Sequence, residues 1–248
     1  MKKIMIGIIA VALLASTAAA TNLLDRVKDL TGRKDKQSSA GAPAQGGSLD
    51  KETVAAGLKE ALSVGSQNAV KIVSQADGYF RNPAIKIPLP EKVKKVERPL
   101  RKIGLGKQVD EFIVTMNRAA EKAAPAAKDI FIGAVKEMTI QDAVGILRGG
   151  DTAATEYMRS KTHDRLYAAF KPTVSKAVMD VGVTKSYQQL VGKAKKSRLI
   201  KDESLDLDHH VTSKALDGLF YMVAQEEKKI RKDPVAQVTD LLKKVFGK

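Results

Sequence analysis

The chain has 248 residues, 43 Lys plus Arg against 28 Asp plus Glu, a net charge of +15, and neither Cys nor Trp. Lack of cysteine excludes thiolate zinc sites, thiol redox centres, cysteine nucleophiles and a lipoprotein anchor, and an aromatic content of 4% argues against a carbohydrate cleft lined with stacking rings. The length suits one sizeable domain, or one domain with an appendage, held by an apolar core rather than by crosslinks.

Lys2 and Lys3 precede an apolar or small run from Ile4 to Leu14, and Ala18-Ala19-Ala20 fits the small-x-small rule of a signal peptidase site. A bilayer span takes ~20 apolar residues, so this shorter run predicts a secretory signal peptide over residues 1–20, cleaved after Ala20. No later stretch reaches spanning length, so the mature chain is expected to carry no transmembrane segment and to reside in the periplasm. The anionic partners available there to a basic protein are lipid headgroups, lipopolysaccharide phosphates and wall polymers. Nucleic acid is the other usual partner of a basic chain, and the export signal argues against it.

Residues 21–48 read as an appendage. Leu23, Leu24, Val27 and Leu30 have helical spacing and predict a short amphipathic helix, and Ser38 to Pro43 with Gly46-Gly47-Ser48 reads as a flexible linker. From residue 49 to 248 the pattern is that of one helical domain. Asp50 is placed to cap a helix bearing Val54, Leu58, Ala61 and Leu62, with a break at Gly65 and a second helix carrying Ala69, Val70 and Val73. Residues 82–90 are different: three prolines deny helix, and Ile85, Ile87 and Leu89 alternate with Lys86 and Pro88. An extended segment with three inward apolar side chains is predicted, with Ser204 to Leu207 as the best partner for a short edge ribbon.

Helix resumes over Glu91 to Ile103, is punctuated at Gly104 and Gly106, and continues with the stripe Val109, Phe112, Ile113, Met116, Ala120 and Ala123. Pro125 starts another helix with Ile130, Ala134 and Val135 inward. Thr139 and Asp142 have capping-box spacing before Ile140, Ala143, Val144 and Leu147, and Gly149-Gly150 closes that helix with Asp151 as the next cap. A long helix follows, kinked or split at Pro172, with Leu166, Phe170, Val174, Val178 and Val181 on one face. Thr184 caps a further helix to about Lys195. Asp208 caps the clearest helix, whose wide face of Val211, Ala215, Leu216, Leu219, Phe220 and Val223 marks it as central, and Asp233-Pro234 restarts a last stripe through Val245. The fold class is therefore all-α: a multi-helix bundle with one short extended Pro-rich segment near 83–90, preceded by a signal peptide and a linker.

Three stretches carry a family resemblance: Ile87-Pro88-Leu89-Pro90 with Met116 to Glu121; Thr139 to Thr155 around Gly149-Gly150-Asp151; and Lys214 to Phe220 with Glu226 to Arg231. Together they resemble the exported bacterial family called domain of unknown function 4197, over about residues 49–247. The resemblance implies export, a mainly helical fold and a Gram-negative envelope setting. It implies no activity, substrate or catalytic residue.

Candidate chemistries are few. Gly104-Leu105-Gly106-Lys107 lacks the spacing of a phosphate loop and reads as a helix break. Asp206, Asp208, His209 and His210 offer metal-ligand atoms, but adjacent histidines on a helix point about 100° apart; the family pattern carries no histidine pair there, and no metal or other cofactor is expected. Asn117, Arg118 and Glu121 could line a polar pocket between helices, or form an ordinary helix-face salt bridge with Asn117 bonded to a loop. Lys214 with Asp217, Glu226 with Lys229, and Glu227 with Arg231 have salt-bridge spacing, and the Glu226-Glu227 end reads as solvated. No G-x-S-x-G elbow is present.

Two basic runs stand out. Lys92, Lys94, Lys95, Arg98, Arg101, Lys102 and Lys107 face only Glu97, and Lys185, Lys193, Lys195, Lys196, Arg198 and Lys201 face no acid. Brought together they would make an anion-binding face; apart, they are solvated helix surface. The favoured reading is a non-enzymatic envelope protein that binds a lipid-like or anionic component, with weak binding candidates at Asn117, Arg118, Glu121, Asp151, Lys214 and Asp217. The alternative is a periplasmic hydrolase with a polar site near Asn117, Arg118, Glu121 and Asp151. Oligomeric state is not legible.

Overall fold

Asp50 opens the first helix, as its position predicts: its carboxylate accepts from the Thr53 N–H at 2.6 Å and from the Thr53 hydroxyl at 2.9 Å, satisfying a donor that the first turn leaves open. The computed structural model describes residues 50–95, 97–180 and 206–232, with Gly192 and Val245 as isolated helical positions. The signal peptide and cleavage site at Ala20, the 21–48 appendage, Val181, Thr184, Lys195, Lys196, Arg198, the Ser204-Leu205 part of the expected ribbon, and the Asp233-Pro234 restart lie outside these residues.

Helix α1 runs Lys51–Val73 without interruption, so Gly65 does not break it. Gly65 is buried, and a Cβ there would stand 3.4 Å from both Glu226 and Ile230; the small residue serves close helix packing. Residues 74–90 form turns and then an extended run. Ile85, Ile87 and Leu89 are buried while Lys86 and Pro88 are exposed, which is the expected alternation. Among the described residues this run pairs with no strand.

The segment read as one helix over 91–103 is three short pieces: α2 (Glu91–Lys94), α3 (Glu97–Leu100) and a π-type turn (Arg101–Leu105) with non-helical backbone at Ile103 and Gly104. Pro99, which has no N–H to give, falls within α3. Helix α4 (Gly106–Ala123) buries the expected stripe, Ile113 only partly. A 3-10 turn, Ala124–Ala126, leads into α5 (Ala127–Glu137). Helix α6 (Ile140–Arg148) opens on the full Thr139–Asp142 capping box. Its Ile140 is 41% exposed rather than core, and the helix buries Ala143 and Ile146 instead.

Helix α7 (Ala153–Asp180) passes Pro172 unbroken and keeps Leu166, Phe170, Val174 and Val178 buried. Helix α8 (Leu207–Lys232) lies at the centre and packs on α7 and α1 more extensively than on its other neighbours. Its whole expected face is buried, and Phe220 meets Phe131 of α5 edge-on, 5.9 Å between ring centroids. The fold is all-α, as the sequence predicts. Among the described residues no helix is long and apolar enough to cross a membrane.

Candidate functional site

Asn117 is fully buried on α4. Its Oδ1 accepts from the Ile87 N–H at 2.8 Å, and its Nδ2 donates to the Ile87 carbonyl at 3.0 Å and to the Ile113 carbonyl at 2.8 Å. The side-chain amide thus takes the part of a neighbouring strand for one residue of the extended run, which explains how that run satisfies its backbone without a ribbon partner. One turn on, Glu121 is 4% exposed. Its Oε1 accepts from the N–H groups of Tyr79 at 3.1 Å and Phe80 at 3.2 Å, and its Oε2 takes the Arg118 guanidinium at 2.6 Å. Arg118 also binds Asp77, a non-glycine residue at φ 69°. Salt-bridged to Glu121 and Asp77, the Arg118 guanidinium is held above its ordinary pKa.

Tyr79, buried in the same turn, donates its hydroxyl to the Ala215 carbonyl of α8 at 2.7 Å. Burial, and after it the Glu121 charge, pushes this phenol well above its usual range, so it stays a donor at any working pH. Gly218 sits beneath it: a Cβ there would come 2.8 Å from the Tyr79 ring and 3.0 Å from Ile85. Asn117, Arg118 and Glu121 are brought together as expected, but around backbone.

Asp151 belongs to a second cluster. Its carboxylate binds Lys232 at 2.5 Å and is held below the usual carboxylate range by that ammonium. It does not close the start of α7. Glu227, 7% exposed on α8, does so from across the bundle, accepting from the N–H of Ala154 at 3.0 Å, the N–H of Thr155 at 2.8 Å and the Thr155 hydroxyl at 2.8 Å. A carboxylate here meets both the open donors and the positive end of α7. Arg231 backs Glu227 at 2.9 Å and donates to the Ile146 carbonyl of α6 at 3.1 Å. Glu226 is also buried, with Lys229 at 2.6 Å and Asn68 of α1 at 3.2 Å. The Glu226-Glu227 end is therefore salt-bridged, as read, but not solvated: these residues continue the inward stripe of Leu219 and Val223 toward Ile230.

Lys214 and Asp217 pair at 3.2 Å on the exposed face of α8. At its start, Asp206 rather than Asp208 is the cap, accepting from the His209 N–H at 2.9 Å, while Asp208 accepts from Ser175. His209 meets the Tyr167 hydroxyl at 2.8 Å and His210 the Pro88 carbonyl at 2.9 Å, so the two rings serve different neighbours.

The basic rim over residues 94–107 contrasts with these clusters. Lys94, Lys95, Arg98, Arg101, Lys102 and Lys107 are all exposed; the side chain of Lys92 is outside the described residues. Arg101 is tied to Asp110 at 2.6 Å and to Glu97 at 3.0 Å; Asp110 first and Glu97 second raise its pKa, and Arg101 lowers that of Asp110. Lys94 and Lys107 face Glu91 and Glu111 at 3.5 and 3.8 Å. Lys95, Arg98 and Lys102 have no acidic partner among the described residues. Beside the rim lies an open groove of about 600 Å³ between Lys86, Pro88, Leu89, Lys94 and Ile113. Another hollow, between α1, α7 and α8, is a mostly apolar slot of about 310 Å³ lined by Leu58, Leu62, Val223 and Ile230.

A family model described as a protein of unknown function, DUF4197, matches residues 48–247. The chain belongs to this family. No curated protein and no solved structure matches it. Two ties join stretches that carry the family resemblance, Asn117 to Ile87 and Glu227 and Arg231 to the 146–155 region, and a third joins the Ala215–Gly218 turn of α8 to Tyr79, which lies outside them. Sequence reasoning missed Tyr79, which sits in a turn where no periodicity speaks. It also missed the burial of Glu226 and Glu227, although their place on the i, i+3, i+4 stripe was the available signal.

Proposed function

We propose that the protein is an exported, non-enzymatic component of the cell envelope that docks on an anionic surface through the basic rim of residues 94–107. The carrying observation is the state of three cations. Lys95, Arg98 and Lys102 stand exposed with no acidic partner among the described residues, so an external anion meets them without first displacing a carboxylate. A cation at an anionic surface contributes about 1 kcal/mol; three together contribute about 3 kcal/mol, roughly a hundredfold in affinity.

The polar residues that could have served hydrolysis support the same reading. Asn117, Glu121 and Glu227 direct their side-chain oxygens at backbone N–H groups, which fixes loops and helix ends and leaves those oxygens engaged.

Co-sedimentation with phosphatidylcholine vesicles, with and without phosphatidylglycerol, tests the proposal. Binding is expected only with the anionic lipid, and is expected to vanish at ~0.5 M salt, where screening acts within a few ångströms. Equal binding to neutral vesicles, or none to anionic ones, would overturn it.

A further inference from the structure

The π-type turn at the rim has a shape that the charge alone does not require. Leu100 and Leu105, at its two ends, are 1% and 2% exposed and pin it to the core. Arg101 staples it from outside, through Glu97, Asp110 and the Gly106 carbonyl at 3.5 Å. Between these anchors the chain leaves helical geometry at Ile103 (φ −89°, ψ 18°) and Gly104 (φ 84°, ψ 14°). Glycine suits that left-handed step, and a Cβ at Gly104 would meet nothing within 4 Å. Ile103 is left 50% exposed, the most exposed of three large apolar side chains at the described surface. The other two, Ile140 and Tyr221, lie outside the basic run.

A lone exposed isoleucine is ordinary. This one follows directly on exposed Lys102, with Arg98 exposed four residues before that lysine and Lys107, which faces Glu111 at 3.8 Å, exposed just beyond the turn. An exposed apolar side chain flanked by exposed cations is the distribution that an interfacial membrane anchor needs: the cations meet headgroup phosphates while the side chain enters the boundary below them.

We infer that the Arg101–Leu105 turn is a membrane wedge, with Ile103 inserted among the headgroups of an anionic bilayer and Arg98, Lys102 and Lys107 on their phosphates. This rests on the docking function proposed above and narrows its anionic surface to a lipid bilayer, as against a soluble or wall-bound polyanion that offers Ile103 nothing apolar.

The chain contains no Trp, so Ile103→Trp in the otherwise native protein is a single local reporter, and Tyr221→Trp, at an exposed position of α8, is its control. With phosphatidylglycerol vesicles, the indole emission of the Ile103→Trp variant is expected to shift to the blue and to be quenched by lipid brominated along its acyl chain; the control should do neither. Ile103→Ser is expected to weaken vesicle binding about tenfold, the scale of one partly buried isoleucine, and to leave binding to soluble heparin unchanged. Salt-sensitive vesicle binding with no blue shift and no quenching would overturn the wedge and leave the docking function standing. Equal weakening of vesicle and heparin binding by Ile103→Ser would overturn it too, since the side chain would then serve the rim's shape. Failure to bind anionic vesicles at all would overturn both.

Discussion

Asn117 and Lys102 are polar residues fifteen positions apart in one basic chain, and their surroundings are opposite. Asn117 is fully buried with three hydrogen bonds to backbone; Lys102 is exposed with no acidic partner among the described residues. The same contrast separates the two regions to which they belong. The inner clusters around Asn117, Glu121 and Glu227 fasten α4 and α8 to the 74–90 segment and to the start of α7. The rim over 94–107 is exposed, and three of its cations, Lys95, Arg98 and Lys102, have no acidic partner among the described residues. A buried polar group is tolerated because its partners are complete, so the inner clusters are legible as architecture, whereas exposed cations with no acidic partner among the described residues are legible as a surface open to anions.

The comparison breaks first at the inner clusters. Asn117→Ala strands the Ile87 N–H and carbonyl in the interior and should cost about 3 kcal/mol, lowering Tm by roughly 10 °C; calorimetry checks it, and a change under 1 kcal/mol would mean that water replaces the amide. Gly218→Ala drives a methyl against the Tyr79 ring and should cost about 2 kcal/mol by overpacking, with Tyr79→Phe in the same background showing whether the hydroxyl bond to Ala215 survives. Thr139→Ala removes the cap of α6 for about 1 kcal/mol in urea unfolding.

Acid sharpens the same picture more gently. Asp142, hydrogen-bonded to the Thr139 N–H, and Asp151, beside Lys232, titrate below their usual range. A carboxylate with its folded pKa depressed binds its proton more readily in the unfolded chain, so its stabilisation is whole above the unfolded value of about 4 and fades as pH falls through the lower folded one. Urea midpoints for Asp142→Asn should therefore fall less steeply below that pH than those of the unaltered protein. The smallest stability effect belongs to the rim. Replacing Lys95, Arg98 and Lys102 together by Gln should shift unfolding by no more than about 0.5 kcal/mol.

Much of the fold could be read from spacing alone. The Val211–Val223 face, the Thr139–Asp142 box and the alternation at Ile85, Ile87 and Leu89 are local patterns with local causes, and each stands as read. The errors arose where a distant segment decides. Gly65 suggested a break, but α8 packs close against it. Asp151 suggested a cap, but Glu227 supplies one from across the bundle and Lys232 takes the aspartate. Glu226 and Glu227 suggested a wet helix end, but their place on the stripe of Leu219 and Val223 turns them inward. At Asn117, Arg118 and Glu121 the grouping was legible and its purpose was not, since nothing local in α4 says that the facing surface is the backbone of residues 79–87.

Anionic vesicle binding by two variants, measured at a temperature where circular dichroism shows both folded, tests the account most directly. The Lys95, Arg98 and Lys102 to Gln variant is predicted to lose affinity about a hundredfold while Asn117→Ala binds like the unaltered protein. The reverse result, with the rim variant binding unchanged and folded Asn117→Ala binding weakly, would place the working surface in the interior clusters and contradict the division drawn between them.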